Sequence, residues 1–470
     1  MKLLYVTSEA APFAASGGLG DVMGALPPAI KRASPETDVR VILPLYKFKM
    51  AEKHLSALKK VSEFHFMYAW REAYCCVYEL AYKGVTYYFV DNEQYFKRPN
   101  LYGEFDDGER FAYFSLAVLE FLIRSGYKPD ILHANDWQCA LTVIYLRTKF
   151  SLVEALMGIR TVYTIHNIEY QGKYDLSILG DVFALDYAHT GIVEYDGCIN
   201  LMKGAIVAAD RVTTVSPNYA NELRQAFFAY GLQHIINLYG YKLSGIINGI
   251  DTEYFSPSAG GDIPFAYGLS NVDEGKRENK MALQRELGLA VDPEIPLAVM
   301  ITRLTHGKGV DLLLHIFEEM MSENVQFVVL GTGDAEYERV FSELAARYPS
   351  RASAELRFDR ALSKRMYAAA DMFLMPSKSE PCGLAQMIAC SYGAIPIVRA
   401  VGGLYDTIKP GENGFVFGNF NAHELLYRIK DALSLYRSRE DWAALVCRAM
   451  QTDFTWDASA EKYLTLYRQM

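Results

Sequence analysis

The 470-residue sequence contains no Cys-x-x-Cys pair, no His-Glu-x-x-His and no other spaced set of His, Cys, Asp or Glu ligands, so it offers no metal site. Its seven cysteines, Cys75, Cys76, Cys139, Cys198, Cys382, Cys390 and Cys447, are odd in number and scattered, which predicts reduced thiols and no disulfides. No uncharged apolar window of about 18 residues occurs, which excludes a membrane-spanning helix. Long Lys/Arg blocks are also missing. With 47 basic against 56 acidic residues and a formal charge of −9, neither nucleic acid nor an anionic membrane is an expected partner. The opening "MKLLYVTSEAAPF" has too short an apolar run for a leader. It reads as a first strand, and the protein is expected in the cytoplasm.

What is present is a core-rich chain, 51% hydrophobic and long enough for two domains of about 200 residues each. Its 33 tyrosines supply aromatic faces with polar tips, suited to sugars or simply to core and rim packing. Short apolar strands alternate with helical segments: "KLLYVTS", "VRVILPL", "DILHAN", "RTVYTIHN" and "RVTTVS" in the first half. This is βαβ grammar and predicts an α/β fold with a parallel sheet. "VSEFHFMYAW", "AYCCVYELAY" and "GVTYYFVDN" follow one another without helices, as a meander added to that sheet. After a polar stretch at about 256–275 the alternation restarts with "LAVMITRL", "VQFVVLGTGD", "AELRF", "DMFLMPS" and "AIPIVRA". Two doubly wound domains are expected, 1–243 and 244–455, with Gly245 and Gly249 beside the hinge. Ligands in such sheets bind beyond the carboxyl ends of strands, and the polar clusters of this sequence lie there.

Four stretches carry chemistry. "SGGLGDV" puts Gly17, Gly18 and Gly20 between the first strand and a helix, where free amides suit an anion and a tight turn is the plainer alternative. It lacks the GK[ST] of a phosphate loop and does not fit GxGxxG, and no cation precedes it. "TRLTHGKGVDLL" places Arg303 after a strand and Lys308 at a helix start, two cations for a diphosphate or two ordinary surface charges. "MPSKSEPCGLAQM" joins Glu380 to a turn and a helix start, a grip for vicinal sugar hydroxyls or a plain helix N-terminus. "HANDW" and "YTIHNIEYQG" set Asp136, His166 and Asn167 at strand ends, as ligand contacts or structural residues, and "GTGD" at 331–334 reads equally as a structural turn.

These stretches, with "SEAAPF", "VSPNYANEL", "GIINGIDTEYFSP" and "GGLYDTI", resemble the bacterial glycogen synthase and plant starch synthase family over essentially the whole chain. The resemblance implies the GT-B fold, two Rossmann-like domains facing across a deep cleft, and a retaining glycosyltransferase without metal or cofactor. The implied donor is ADP-glucose, and the implied acceptor is the non-reducing 4-hydroxyl of an α-1,4-glucan such as glycogen or a maltooligosaccharide. By matching position, Arg303 and Lys308 would hold the diphosphate, while Glu380 and the amides of Cys382, Gly383 and Leu384 would hold the glucose hydroxyls. His166, Asn167 and Asp136 would meet the sugar from the other domain, Gly18 and Asp21 belong to a loop closing over the donor, and Phe358 falls against the base. A C-terminal helix, 456–470, would return to the first domain.

Two departures bear on the donor. The family's Lys-Thr-Gly-Gly-Leu is Ala15-Ser16-Gly17-Gly18-Leu19 here, and Ala385 stands where a hydroxyl residue often sits. Ile388 stands where a related group has a second glutamate, which favours the glycogen and starch synthase group over UDP-sugar enzymes that use two glutamates. UDP-glucose is the alternative donor, and a non-catalytic glucan-binding paralogue is the alternative from another class.

Overall fold

The computed structural model describes all 470 residues, which divide into two compact units: Met1–Gly249 with Trp456–Met470, and Ile250–Thr455. The first is built on strands β1 (Lys2–Val6), β2 (Asp38–Pro44), β3 (Lys59–Tyr68), β4 (Arg71–Tyr82), β5 (Val85–Asp91), β6 (Ile131–Asn135) and β7 (Arg160–Ile165). Three short strands, β8 (Lys173–Tyr174), β9 (Glu194–Tyr195) and β10 (Cys198–Asn200), form a separate small sheet. β11 (Arg211–Thr214) and β12 (Leu243–Gly245) complete the main sheet, whose nine-strand order is β12-β11-β7-β6-β1-β2-β5-β4-β3.

The central strands pair in parallel, with Tyr5 opposite Val41 on one side and His133 on the other. Helices cover such a sheet on both faces, so its middle strands are apolar throughout. Within this nine-stranded sheet only the meander, β3 to β5, contains antiparallel pairs. It also reaches the site, because Phe13 packs edge-on against Tyr87 and Phe89 of β5, with centroids 4.8 and 5.1 Å away. Burying that ring is worth about 1.5–3 kcal/mol and pins the chain just before the glycine loop.

The unit extends beyond the expected 243 because β12 continues the sheet, with Leu243 opposite Val212 and Gly245 opposite Thr214. Gly245 is the last residue of this strand and is packed closely: a Cβ there would lie 2.2 Å from Ser216 O. The Trp456–Arg468 helix packs Trp456, Tyr463, Leu464 and Tyr467 into the core shared by β1 and the Gly18–Ala33 helix. Its polar tips are satisfied in a buried chain. Tyr467 OH lies 2.9 Å from Tyr5 OH and 2.7 Å from His133 Nδ1, and His133 Nε2 lies 2.5 Å from Thr164 Oγ1.

The second unit carries one six-stranded parallel sheet: β13 (Leu297–Ile301), β14 (Gln326–Leu330), β15 (Ala352–Glu355), β16 (Met372–Met375), β17 (Ile395–Arg399) and β18 (Phe415–Phe417). Their order is β15-β14-β13-β16-β17-β18. The strand expected over "AELRF" ends at Glu355, so Phe358 falls in the following loop. Among the parallel strands of each unit the order reverses once, between β1 and β6 in the first and between β13 and β16 in the second. Crevices outside a parallel sheet open at such reversals. No helix of the chain is long and apolar enough to cross a membrane.

Candidate active site

In the first unit the residues after β1, β6 and β7 meet at the reversal. Glu9, 3% exposed, turns back from β1 and accepts the Ser16 N–H at 2.5 Å, the Ser16 Oγ–H at 2.9 Å and the Gly17 N–H at 3.4 Å. Tyr102 OH donates to the same carboxylate at 2.6 Å, and Ser8 Oγ stands 2.8 Å from that hydroxyl. The anion at the leading amides of the loop is therefore the chain's own carboxylate. Glu9 thus holds the two amides that precede the helix, Ser16 and Gly17, the shorter bond being charge-assisted and worth about 1.5–3 kcal/mol. Gly20 is there for close packing, since a Cβ would lie 2.5 Å from Ala15 Cβ. Gly18 and Asp21 stand exposed on the first turn of the helix.

Asp136 begins the helix after β6 with φ 54°, a left-handed conformation that costs of order 1–3 kcal/mol in a non-glycine residue. Its carboxylate accepts the backbone N–H of His166 at 2.7 Å. Burial pushes its pKa up to about 7; the N–H groups of His166 and Asn167 oppose the shift and the charge of Glu9 adds to it. His166, directly after β7, is pushed down to about 3 by burial and is a neutral imidazole. Its Nε2 lies 3.0 Å from Asn135 Oδ1. The Asn167 side chain turns into its own loop and accepts the Glu169 N–H at 3.0 Å.

In the second unit, Arg303 follows β13 exposed, its carbonyl accepting the Thr305 N–H at 2.9 Å and its guanidinium without a hydrogen bond or ion pair. Lys308 ends a one-turn helix, His306–Lys308, and its Nζ donates to Glu380 Oε2 at 2.7 Å. Ser377 Oγ donates to the same oxygen at 3.0 Å. The pair is largely desolvated, with side chains 22% and 9% exposed, and it bridges the two strands between which the order reverses. The two expected cations thus differ: Arg303 has an unengaged charge, while Lys308 also serves the carboxylate.

The turn behind Glu380 is set by Gly402 and Gly403. Gly402 has φ 45°, a Cβ there would lie 1.8 Å from Glu380 O, and Gly403 N–H donates to that oxygen at 3.1 Å. Gln386 Nε2 donates to Gly383 O at 2.9 Å and Thr407 Oγ1 at 3.1 Å, fixing the Cys382–Leu384 turn. Cys382 is buried, and Leu384 is the residue before the Ala385–Ser391 helix. Phe358 stands 82% exposed after β15, beyond β14 from the other residues of this half.

Sequence reasoning assigned no role to Glu9, Asn135, Ser377 or Tyr102. Glu9 and Asn135 were accessible, since both sit at strand ends; Tyr102 reaches Glu9 across 93 positions and left no local signal. No group of three or more His, Cys, Asp or Glu side chains is gathered as a metal would require.

Residues 2–238 match the family model described as the starch synthase catalytic domain, and residues 286–444 match glycosyl transferases group 1. The chain is 47% identical to a glycogen synthase of Geobacillus thermodenitrificans, over 100% of this chain and 98% of that protein. It is 44% identical to one of Ligilactobacillus salivarius, with both chains covered in full. Among solved structures it resembles the catalytic domain of starch synthase IV from Arabidopsis thaliana bound to ADP and acarbose. The TM-score is 0.90 at 35% identity, covering 99% of this chain and 98% of that one. A sucrose-phosphate synthase of Thermosynechococcus elongatus, 18% identical with a TM-score of 0.63 over 100% and 98% of the two chains, shares the fold.

Proposed function

The chain belongs to the glycogen and starch synthase family of GT-B glycosyltransferases, and from that membership we propose that it transfers glucose from ADP-glucose to the non-reducing 4-hydroxyl of an α-1,4-glucan, with retention of configuration, in cytoplasmic glycogen synthesis. The observation that carries the donor and acceptor is the full-length likeness to a starch synthase described as bound to ADP and acarbose, a nucleotide and an oligosaccharide.

In this reading the bond from glucose C1 to the ADP oxygen breaks as the bond from C1 to the acceptor oxygen forms. The acceptor's proton passes to the departing diphosphate. Negative charge grows on ADP during the step, and cations placed beforehand favour the transition state over the ground state. Arg303 brings an unpaired guanidinium to that charge. Lys308, bonded to Glu380, links the diphosphate end to the carboxylate that orients the glucose hydroxyls. Asp136 and His166 contact the transferred glucose in this reading, and Glu9 keeps the glycine loop in shape. Shielding the donor from water prevents its hydrolysis.

UDP-glucose is the second reading for the donor, permitted by Ala15 and Ala385, where the two departures leave less polarity than the family pattern. Initial rates at subsaturating ADP-glucose and UDP-glucose, with glycogen as acceptor, test both. A higher kcat/KM with ADP-glucose is expected, and a higher value with UDP-glucose overturns the donor. No glucose incorporation from either donor overturns the transfer itself and leaves a glucan-binding protein.

A further inference from the structure

Asn135 is 2% exposed at the end of β6, and its side-chain amide is held at both ends. Nδ2 donates to Val6 O at 3.1 Å and to His133 O at 3.3 Å. Turning the amide over would set its oxygen against two carbonyl oxygens, so the orientation is fixed. Oδ1 is then the atom that lies 3.0 Å from His166 Nε2. An amide oxygen only accepts, which puts the imidazole proton on Nε2. The other nitrogen, Nδ1, has no partner in the protein, whereas both ring nitrogens of the neighbouring His133 are bonded.

We propose that Asn135 is a positioning residue that locks His166 in its Nε2–H form, so that the ring presents Nδ1 as an acceptor for one hydroxyl of the donor sugar. This rests on the reading that His166 meets that sugar. The lock makes the His166 ring an acceptor at the sugar with no proton to give there, which separates its role from acid catalysis. Burial supports the lock by holding the ring neutral, down to about 3. The ionisable neighbours are His133 on β6, itself neutral, and Asp136, which takes the His166 backbone N–H and leaves the ring alone.

The test uses the full chain with 15N-labelled histidine, its nine histidines assigned with the help of His166→Gln. In the unliganded wild type, His166 is expected with a protonated Nε2 and a bare Nδ1 from pH 5 to pH 8. A protonated Nδ1, or a mixture of forms, overturns the lock without any variant having to fold. Asn135→Asp puts a carboxylate on Nε2–H and is expected to protonate both nitrogens near pH 6. Its kcat should fall at least tenfold there and recover as the pH rises. Asn135→Ser should give mixed tautomers and a kcat lowered equally at all pH. A changed tautomer with an unchanged rate overturns the acceptor role, and with it the placement of the sugar at His166.

Discussion

Lys308 Nζ and Glu380 Oε2 meet at 2.7 Å across the reversal in strand order of the second unit, while Arg303 on the same rim has no partner. A carboxylate already anchored by Lys308 and Ser377 is preorganised to orient a sugar hydroxyl, and its loss strikes turnover more than nucleotide binding. Glu380→Ala is expected to lower kcat by about a hundredfold or more, with ADP affinity held within a few-fold. The check is steady-state kinetics alongside ADP titration calorimetry; a near-normal kcat removes Glu380 from the mechanism.

Glu9 closes the glycine loop from inside the chain. Glu9→Ala leaves the Ser16 and Gly17 amides without their acceptor and leaves Tyr102 OH with Ser8 Oγ alone. A loss of about 1–3 kcal/mol in stability is expected, with faster proteolysis at Ala15–Gly18. Urea denaturation and limited proteolysis read the two effects, and an unchanged cleavage rate would mean that the loop is held by something else.

Asp136 gives a pH dependence of stated sign. Its usual pKa of 3.8 rises to about 7 in the folded chain, so the folded state holds the proton more tightly between those values. Stability therefore falls as pH rises from about 4 through about 7, and the full penalty applies above 7. Asp136→Asn keeps an acceptor for the His166 N–H and removes the penalty. Its melting temperature should exceed that of the wild type at pH 8 and match it near pH 4, while activity is lost. An equal difference at both pH values contradicts the assignment.

Tyr467→Phe removes the hydroxyl that joins Tyr5 to His133. Two buried polar atoms then lack a partner, and a cost of about 1–3 kcal/mol is expected. Chemical denaturation checks it, and a change below about 0.5 kcal/mol would show that the network is replaced by water.

Strand periodicity made both parallel sheets and the meander legible, because fully buried strands read as continuous apolar runs. The last strand of the first unit left little signal because β12 is three residues long and pairs only at the sheet edge. Arg303, Lys308 and Glu380 were visible as charges after strands. That Lys308 is bonded to Glu380 was not, since 72 positions separate them and only the sheet order brings them together. The anchor of the glycine loop was hidden for a related reason: only the fold shows Glu9 turning back to accept the Ser16 and Gly17 N–H groups.

If the second unit carries the charge that stabilises the departing diphosphate, and Glu9 holds the loop through Ser16 and Gly17, the loop without its lysine is no damaged site. Ala15→Lys then adds at most one charge-assisted contact and should change donor KM by about tenfold or less. The direct measurement is kcat/KM of Lys308→Ala for the preferred donor, assayed beside Ala15→Lys. The account predicts a fall of about a hundredfold or more for Lys308→Ala. A fall of less than about tenfold, together with a hundredfold gain in kcat for Ala15→Lys, would contradict it.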